Sequence, residues 1–262
     1  MKRLSIWCAA AVAVMAAVLY AETRPGESEE YRKKAEERWL VLDMVEALRY
    51  YRRAAALGNA KACFEVGVFY WNGFAGEESV ELGKSYFLEA EPGLLKLAEN
   101  GDPEAQLDLV IFYQNYYINR KKCRHWSAEM MKNFLAAAGR GDREAMFHLG
   151  GIYRDGHGVK SDLPEALKWY RRAAEHGHPE ATHIVGVFYY KGFGVKPDEA
   201  EAMKWLELAA RRGYTGAEVL IGQCHEHRHH DLPEALKWYR RAAERGDKLA
   251  ERLLREHGES LK

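Results

Sequence analysis

The sequence predicts an all-α solenoid assembled from a repeated pair of helices, and three observations predict it. The segment DLPEALKWYRRAAE runs from Asp162 to Glu175 and again, unchanged, from Asp231 to Glu244, so the chain is internally duplicated. A glycine followed four residues later by an alanine recurs as Gly58/Ala62, Gly101/Ala105, Gly141/Ala145, Gly177/Ala181, Gly213/Ala217 and Gly246/Ala250. Successive glycines lie 43, 40, 36, 36 and 33 residues apart, which defines a unit of about 36 residues with variable loops. Each unit contains two stretches with helical hydrophobic spacing, and neither buries its apolar stripe without a neighbour.

Taken in order, the chain opens on Lys2 and Arg3, followed by an apolar run from Leu4 to Ala21 broken only by Ser5, with charge resuming at Glu22. A basic start and an apolar stretch of this length predict an export signal over residues 1–21, cut after Ala21; an uncleaved membrane anchor over residues 4–21 is the alternative. Either way the folded part faces outward, into the periplasm or beyond. Cys8 follows bulky Trp7, which disfavours lipid attachment there. Residues 22–43 form a charged entry segment in which Ser28 to Leu40 is a degenerate first helix, and residues 44–262 form the repeats.

The second helix of each unit has the clearer ends. Asp162 suits the N-cap, its carboxylate accepting first-turn amides, with Pro164 where no amide partner is needed and Glu165 completing an Asp-x-x-Glu box. Ala166, Tyr170, Ala173 and Ala174 share one stripe, Arg171 and Arg172 suit the negative end, and Gly177 supplies the left-handed stop. Weaker copies start at Glu46 and Glu201, and Met130 onward keeps only the small and aromatic pattern. The first helix runs through Ala145, Leu149, Ile152 and Tyr153, or Ala181, Val185, Phe188 and Tyr189. Gly67, Gly150, Gly186 and Gly222 share one register, where a missing side chain admits a neighbouring helix.

Composition narrows function. A chain of 262 residues with 47% hydrophobic content has enough apolar surface for a core. Lys+Arg and Asp+Glu are both 39, so no global field favours nucleic acid or an anionic membrane, and membrane contact is expected only through an uncleaved anchor. The Arg52/Arg53, Arg171/Arg172 and Arg240/Arg241 pairs are explained by helix-end electrostatics. Beyond the signal, Cys63, Cys123 and Cys224 are an odd set without metal-type spacing and read as single thiols.

The run AMFHLGGIYRDGHGVKSDLPEALKWYRRAAEHGHPEA closely resembles the Sel-one-like repeat (SLR) family, a relative of the tetratricopeptide repeat. The resemblance extends from about Val45 to the C-terminus, is strongest from Asp142 to Gly213, and weakens where Val110 replaces the glycine and His225 the tyrosine. Glu91 to Gly93 and Tyr116 to Trp126 depart from the family spacing. The resemblance implies a right-handed superhelix of antiparallel helix pairs and an adaptor role in a bacterial envelope, with first helices lining a concave face. Carried over by register, the partner-binding candidates four and five residues after the recurrent glycine are Trp71, Asn72, Gln114, Asn115, Arg154, Asp155, Tyr190, Lys191, Glu226 and His227. Three residues before it, Phe64, Phe147 and His183 are expected in the same groove.

No catalytic residue, metal ligand or cofactor is expected. His225-Glu226-x-x-His229 matches a zinc-protease pattern, which needs one continuous helix. Repeat register ends the helix before His229, so a solvated turn is favoured, with adventitious metal binding as the other reading. Gly156-x-Gly158 and Gly192-x-Gly194 recur at helix turns without a preceding strand, unlike phosphate loops. The function expected is a non-enzymatic scaffold binding a protein partner in the groove. The alternatives are a β-lactam-binding or hydrolysing enzyme, as among cysteine-rich exported relatives, and an inhibitor or immunity-type protein.

Overall fold

A computed structural model describes residues 26–40, 43–74 and 79–259; the expected export signal lies outside the described residues. Among the described residues there are thirteen α-helices, one π-helical turn and no strand. The chain divides into two compact units, the first ending at Ile118 and the second beginning at Asn119.

Unit 1 holds α1 (Glu27–Leu40), α2 (Met44–Ala56), α3 (Ala60–Asn72), α4 (Val80–Glu99), α5 (Pro103–Ile111) and the π-helical turn Phe112–Tyr116. Here α1 packs on α2 and α3 on α4, and these pairs stack through α2 against α3. Trp39 and Tyr51 meet Phe69 at ring separations of 5.3 and 5.8 Å, joining the first pair to the second. Unit 2 holds α6 (Arg120–Gly139), α7 (Arg143–Asp155), α8 (Leu163–Glu175), α9 (Pro179–Lys191), α10 (Glu199–Arg211), α11 (Thr215–His227), α12 (Leu232–Glu244) and α13 (Lys248–Glu256). Its pairs are α7 with α8, α9 with α10 and α11 with α12, stacked in chain order.

The capping chemistry recurs. The Asp162 carboxylate accepts from the Glu165 amide at 2.9 Å, Asp198 from Glu201 at 2.9 Å and Asp231 from Glu234 at 3.1 Å. Each cap stabilises its helix by about 1 kcal/mol. Gly177 follows α8 at φ 86°, in the left-handed region that a helix stop needs.

The recurrent glycine is where the two helices of a pair meet. A Cβ on Gly67 would lie 2.6 Å from the Phe87 ring, one on Gly150 2.5 Å from Tyr170, one on Gly186 2.7 Å from Leu206 and one on Gly222 2.4 Å from Tyr239. In all four cases the obstructing side chain belongs to the second helix of the same pair and is buried. The first helix is therefore pinned by its glycine in these four pairs, with the same side turned to the second helix.

The long spacings are absorbed as helix rather than loop. Helix α4 continues through Pro92, and α4 and α6 each span 20 residues against 13 for α8. Pro92 is exposed, and Leu88, whose carbonyl has no amide donor from Pro92, is itself 55% exposed, so the break in the ladder lies on the solvent side of α4. Among the described residues no helix is long and apolar enough to cross a membrane.

Candidate partner-binding face

A helix turns about 100° per residue, so positions two before and five after the glycine point about 140–160° away from it. The glycine side is sealed by the second helix, and the opposite arc is open. In unit 1 this arc carries exposed Asn72 on α3, and Asn115 is exposed on the π-helical turn that follows α5; in unit 2 it carries exposed Asp155, Lys191 and His227.

The positions four after and three before the glycine turn back toward the sealed side, and their side chains are engaged in packing. Phe64 is 2% exposed and lies 5.2 Å from the Phe87 ring and 6.3 Å from Tyr116. Trp71 is half-buried, edge-on to Tyr116 at 5.1 Å, and Gln114 is half-buried on the π-helical turn. Phe147 stacks on His178 at 4.3 Å, and His183 lies 4.7 Å from Tyr214. Burial holds His183 neutral down to about 4, and its Nδ1 has no hydrogen-bond partner among the described residues.

The remaining candidates are tethered to immediate neighbours. Arg154 forks onto Asp155 at 2.8 and 2.7 Å, which fixes an exposed guanidinium. Tyr190 lies beneath the Arg228 guanidinium at 4.3 Å, with the Lys191 ammonium at 5.2 Å from the same ring. Glu226 accepts from the Tyr239 hydroxyl at 2.7 Å and pairs with His257 at 3.1 Å, while His227 stands 4.0 Å from it.

Two further rows of the open arc were not singled out by register: the positions two and six before the glycine. They hold Glu65 and Lys61 on α3, Asp108 and Glu104 on α5, and Glu144 and Glu180 on α7 and α9. The signal that finds them is helix rotation, because two before the glycine lies nearly opposite it. In unit 1 the Lys61 ammonium is held at 2.8 Å by both Asp102 and Glu104. Burial, with Glu36 nearby, pushes the Glu65 carboxyl up to about 7, and burial together with Glu65 pushes Asp108 well above the usual carboxylate range. In unit 2 the His178 ring donates through Nε2 to Glu144 at 3.2 Å while its Nδ1 caps α9 by accepting from the Ala181 amide at 3.1 Å. That bond, ahead of the opposing desolvation, holds Glu144 below the usual carboxylate range.

The histidine motif does not lie on one helix. Helix α11 ends at His227, and His229 contacts Glu199 at 2.8 Å beside Arg228, whose guanidinium reaches the other Glu199 oxygen at 2.7 Å. No group of three or more histidine, cysteine or acidic side chains among the described residues converges as metal ligands. Cys63, Cys123 and Cys224 are free, and burial raises the Cys63 thiol to about 12, which suits a small apolar filler rather than a nucleophile.

No curated protein matches the sequence. Among solved structures, a Sel1 repeat protein from Oxalobacter formigenes is 28% identical, with 85% of this chain and 87% of that chain covered and a TM-score of 0.46. The protective antigen c5321 of uropathogenic Escherichia coli, which displays an SLR fold, is 21% identical over 91% of this chain and 57% of that one, with a TM-score of 0.43. The immunity protein PA5088 from Pseudomonas aeruginosa is 17% identical over 73% of this chain and 66% of that one, with a TM-score of 0.41. The model of the Sel1 repeat matches residues 40–59, 60–90, 143–178, 179–214 and 217–247, which is more than half of the sequence. With five matched repeats, glycine-pinned helix pairs and the recurrent Asp caps, the chain belongs to the Sel1 repeat family.

Proposed function

We propose that this protein is a non-enzymatic adaptor that holds a protein partner against the open arc of its first helices. Sel1 repeat proteins are generally protein-interaction scaffolds, and the fold is typically non-enzymatic. The observation that carries the proposal is the asymmetry of each first helix. One side is closed by an aromatic or leucine against the glycine, while Asn72, Asp155, Lys191 and His227 stand exposed at one register. Within unit 2, Asp155, Lys191 and His227 recur every 36 residues on rigid helices, a repeated surface that suits an extended partner.

The test is co-purification of the full chain with its partner from cells. Reversing charge at Asp155 and Lys191 is expected to lower recovery of the partner by about tenfold or more, while reversal at exposed Lys168 and Lys237 leaves it within about twofold. The opposite ranking places the partner on the second helices. One stoichiometric partner instead of several favours an inhibitor over an adaptor. Export rests on Lys2, Arg3 and the apolar run to Ala21, and fractionation tests it: recovery of soluble cytosolic chain retaining residues 1–21 rejects it.

A further inference from the structure

Helix α6 is longer than the repeat requires, and the added length is basic. It spans 20 residues against 13 for α8, and both helices end two residues before their stop glycines, Gly141 and Gly177, so the extra residues, 120–126, all lie at the N-terminal end. That extension carries Arg120, Lys121, Lys122, Arg124 and His125, all exposed, and no acidic residue. Even its cap is uncharged: Asn119 accepts from the Lys122 amide at 3.0 Å, where Asp162, Asp198 and Asp231 cap α8, α10 and α12. The arrangement runs against helix electrostatics, which favour acids at the start and cations at the end. Helices α8 and α12 follow that rule, with Glu165 and Glu234 in the first turn and Arg171/Arg172 and Arg240/Arg241 near the end; at that later register α6 has exposed Leu135 and Ala136. Among the described residues Arg120 and Lys121 make no ion pair, and the Arg124 guanidinium donates only to the Arg120 carbonyl at 3.4 Å. The extension is nevertheless firmly placed, since Trp126 is 7% exposed and the Ser127 hydroxyl donates to the Cys123 carbonyl at 2.7 Å.

We propose that the exposed face of α6 rests on an anionic phospholipid surface. The proposal is independent of the open arc, which belongs to the first helices. The whole chain is formally neutral, so the attraction is local: α6 holds Arg120, Lys121, Lys122, Arg124 and Lys132 against Glu129 alone. Four of those cations crowd the helix start, where the positive end of the dipole adds to their field. Lys121, Arg124, His125, Ala128, Lys132 and Leu135 share one exposed face, and that face holds no acid. Cations at one end and an aliphatic side chain 43% exposed at the other suit headgroups and the acyl boundary together. An acidic peptide would meet the cations and leave Leu135 without a role. Single-stranded nucleic acid fits less well, because Trp126 and Phe134 are buried and offer no stacking face. The contact is peripheral, with α6 lying on the surface and not spanning it.

The experiment mixes the full chain with vesicles of phosphatidylcholine alone and of phosphatidylcholine with about 30% phosphatidylglycerol, each doped with a photoactivatable lipid of its own headgroup. Adducts mapped by mass spectrometry are expected within residues 120–136 on the anionic vesicles and not on the neutral ones. The mapping separates this contact from any made by the apolar run over residues 4–21, which does not depend on headgroup charge. The variant Lys121→Glu with Arg124→Glu is compared with Lys168→Glu with Lys237→Glu, which reverses equal charge on α8 and α12. The first is expected to raise the lipid concentration for half-maximal adduct yield about thirtyfold or more, the second by less than about twofold. Acids at a helix start meet the positive end of the dipole, so the α6 variant is also expected to keep or raise the melting temperature, and its loss of contact is then not a loss of fold. Equal adducts on the two kinds of vesicle, equal effects of the two variants, or a lower melting temperature in the α6 variant alone overturns the proposal. A glutamate-rich peptide or a single-stranded oligonucleotide that displaces the anionic vesicles at matched charge concentration assigns the face to that class instead and equally overturns it.

Discussion

Gly150 and Gly151 are neighbours on α7, yet alanine is expected to act with opposite sign at the two. A Cβ on Gly150 would lie 2.5, 2.6 and 2.8 Å from three ring atoms of Tyr170, a side chain 1% exposed. That ring is held by Phe147 at 5.8 Å and Phe188 at 5.6 Å, so it has no free direction in which to yield. A Cβ on Gly151 meets only the Tyr170 hydroxyl at 3.6 Å, an ordinary contact. Both alanines gain the same helix propensity, about 1 kcal/mol, so it cancels in their difference. What remains is the overpacking at Gly150, about 1–3 kcal/mol. Gly151→Ala is therefore expected to be more stable than the parent by up to about 1 kcal/mol, and Gly150→Ala less stable than Gly151→Ala by about 1–3 kcal/mol. Urea unfolding followed by far-ultraviolet circular dichroism measures both. Equal midpoints for the two variants would refute the pinning of α7 on α8 through Gly150, and with it the orientation of the open face.

Glu65 and His183 are expected to make stability depend on pH with opposite signs. Glu65 titrates near 7 in the folded chain instead of about 4.5, so its stabilising contribution is full below about 4.5 and lost as pH rises through about 7, with an upper bound of about 3 kcal/mol. The stability of the parent relative to Glu65→Gln should fall between pH 5 and 8 in thermal unfolding, and a flat difference contradicts the enclosure of this carboxyl. His183 titrates near 4 instead of 6.5, so the unfolded chain takes up the proton first and stability drops as pH falls from 7 toward 5; His183→Phe should remove that part of the acid sensitivity. Asp162→Ala should cost about 1 kcal/mol by removing the bond to the Glu165 amide at 2.9 Å, and a loss below about 0.3 kcal/mol would reject the cap as a determinant of α8.

Much of the fold is legible because local signals agree with one another. Asp162, Pro164, Glu165 and Gly177 mark both ends of α8, and the identical segment at Asp231 transfers the same ends to α12. The departures occur where a local rule is outweighed by surroundings. Pro92 reads as a helix breaker, but its missing amide falls on a solvated turn and α4 runs through it. The stretch after Val110 becomes a π-helical turn, with Tyr116 stacked on Phe87 at 4.3 Å, an aromatic contact that no periodicity announces. The candidate face is legible in part. The glycine register identifies equivalent residues in the four pairs that carry it, whereas which of them face solvent depends on the rotation fixed by Phe87, Tyr170, Leu206 and Tyr239 across the pair. Glu65 and Asp108 look in sequence like solvated charges. Both are half-buried instead, and their carboxyls titrate above the usual carboxylate range.

The central claim, that a protein partner lies against the open arc of the first helices, is tested most directly by site-specific photo-crosslinking in intact cells. A photoreactive residue is placed singly at Asn72, Asp155 and Lys191 on the first helices, and at Lys168, Lys204 and Lys237 on the second helices, all exposed positions. The expected result is discrete protein adducts from the first three sites and none, or only weak ones, from the others. Adducts confined to Lys168, Lys204 and Lys237 would contradict the claim.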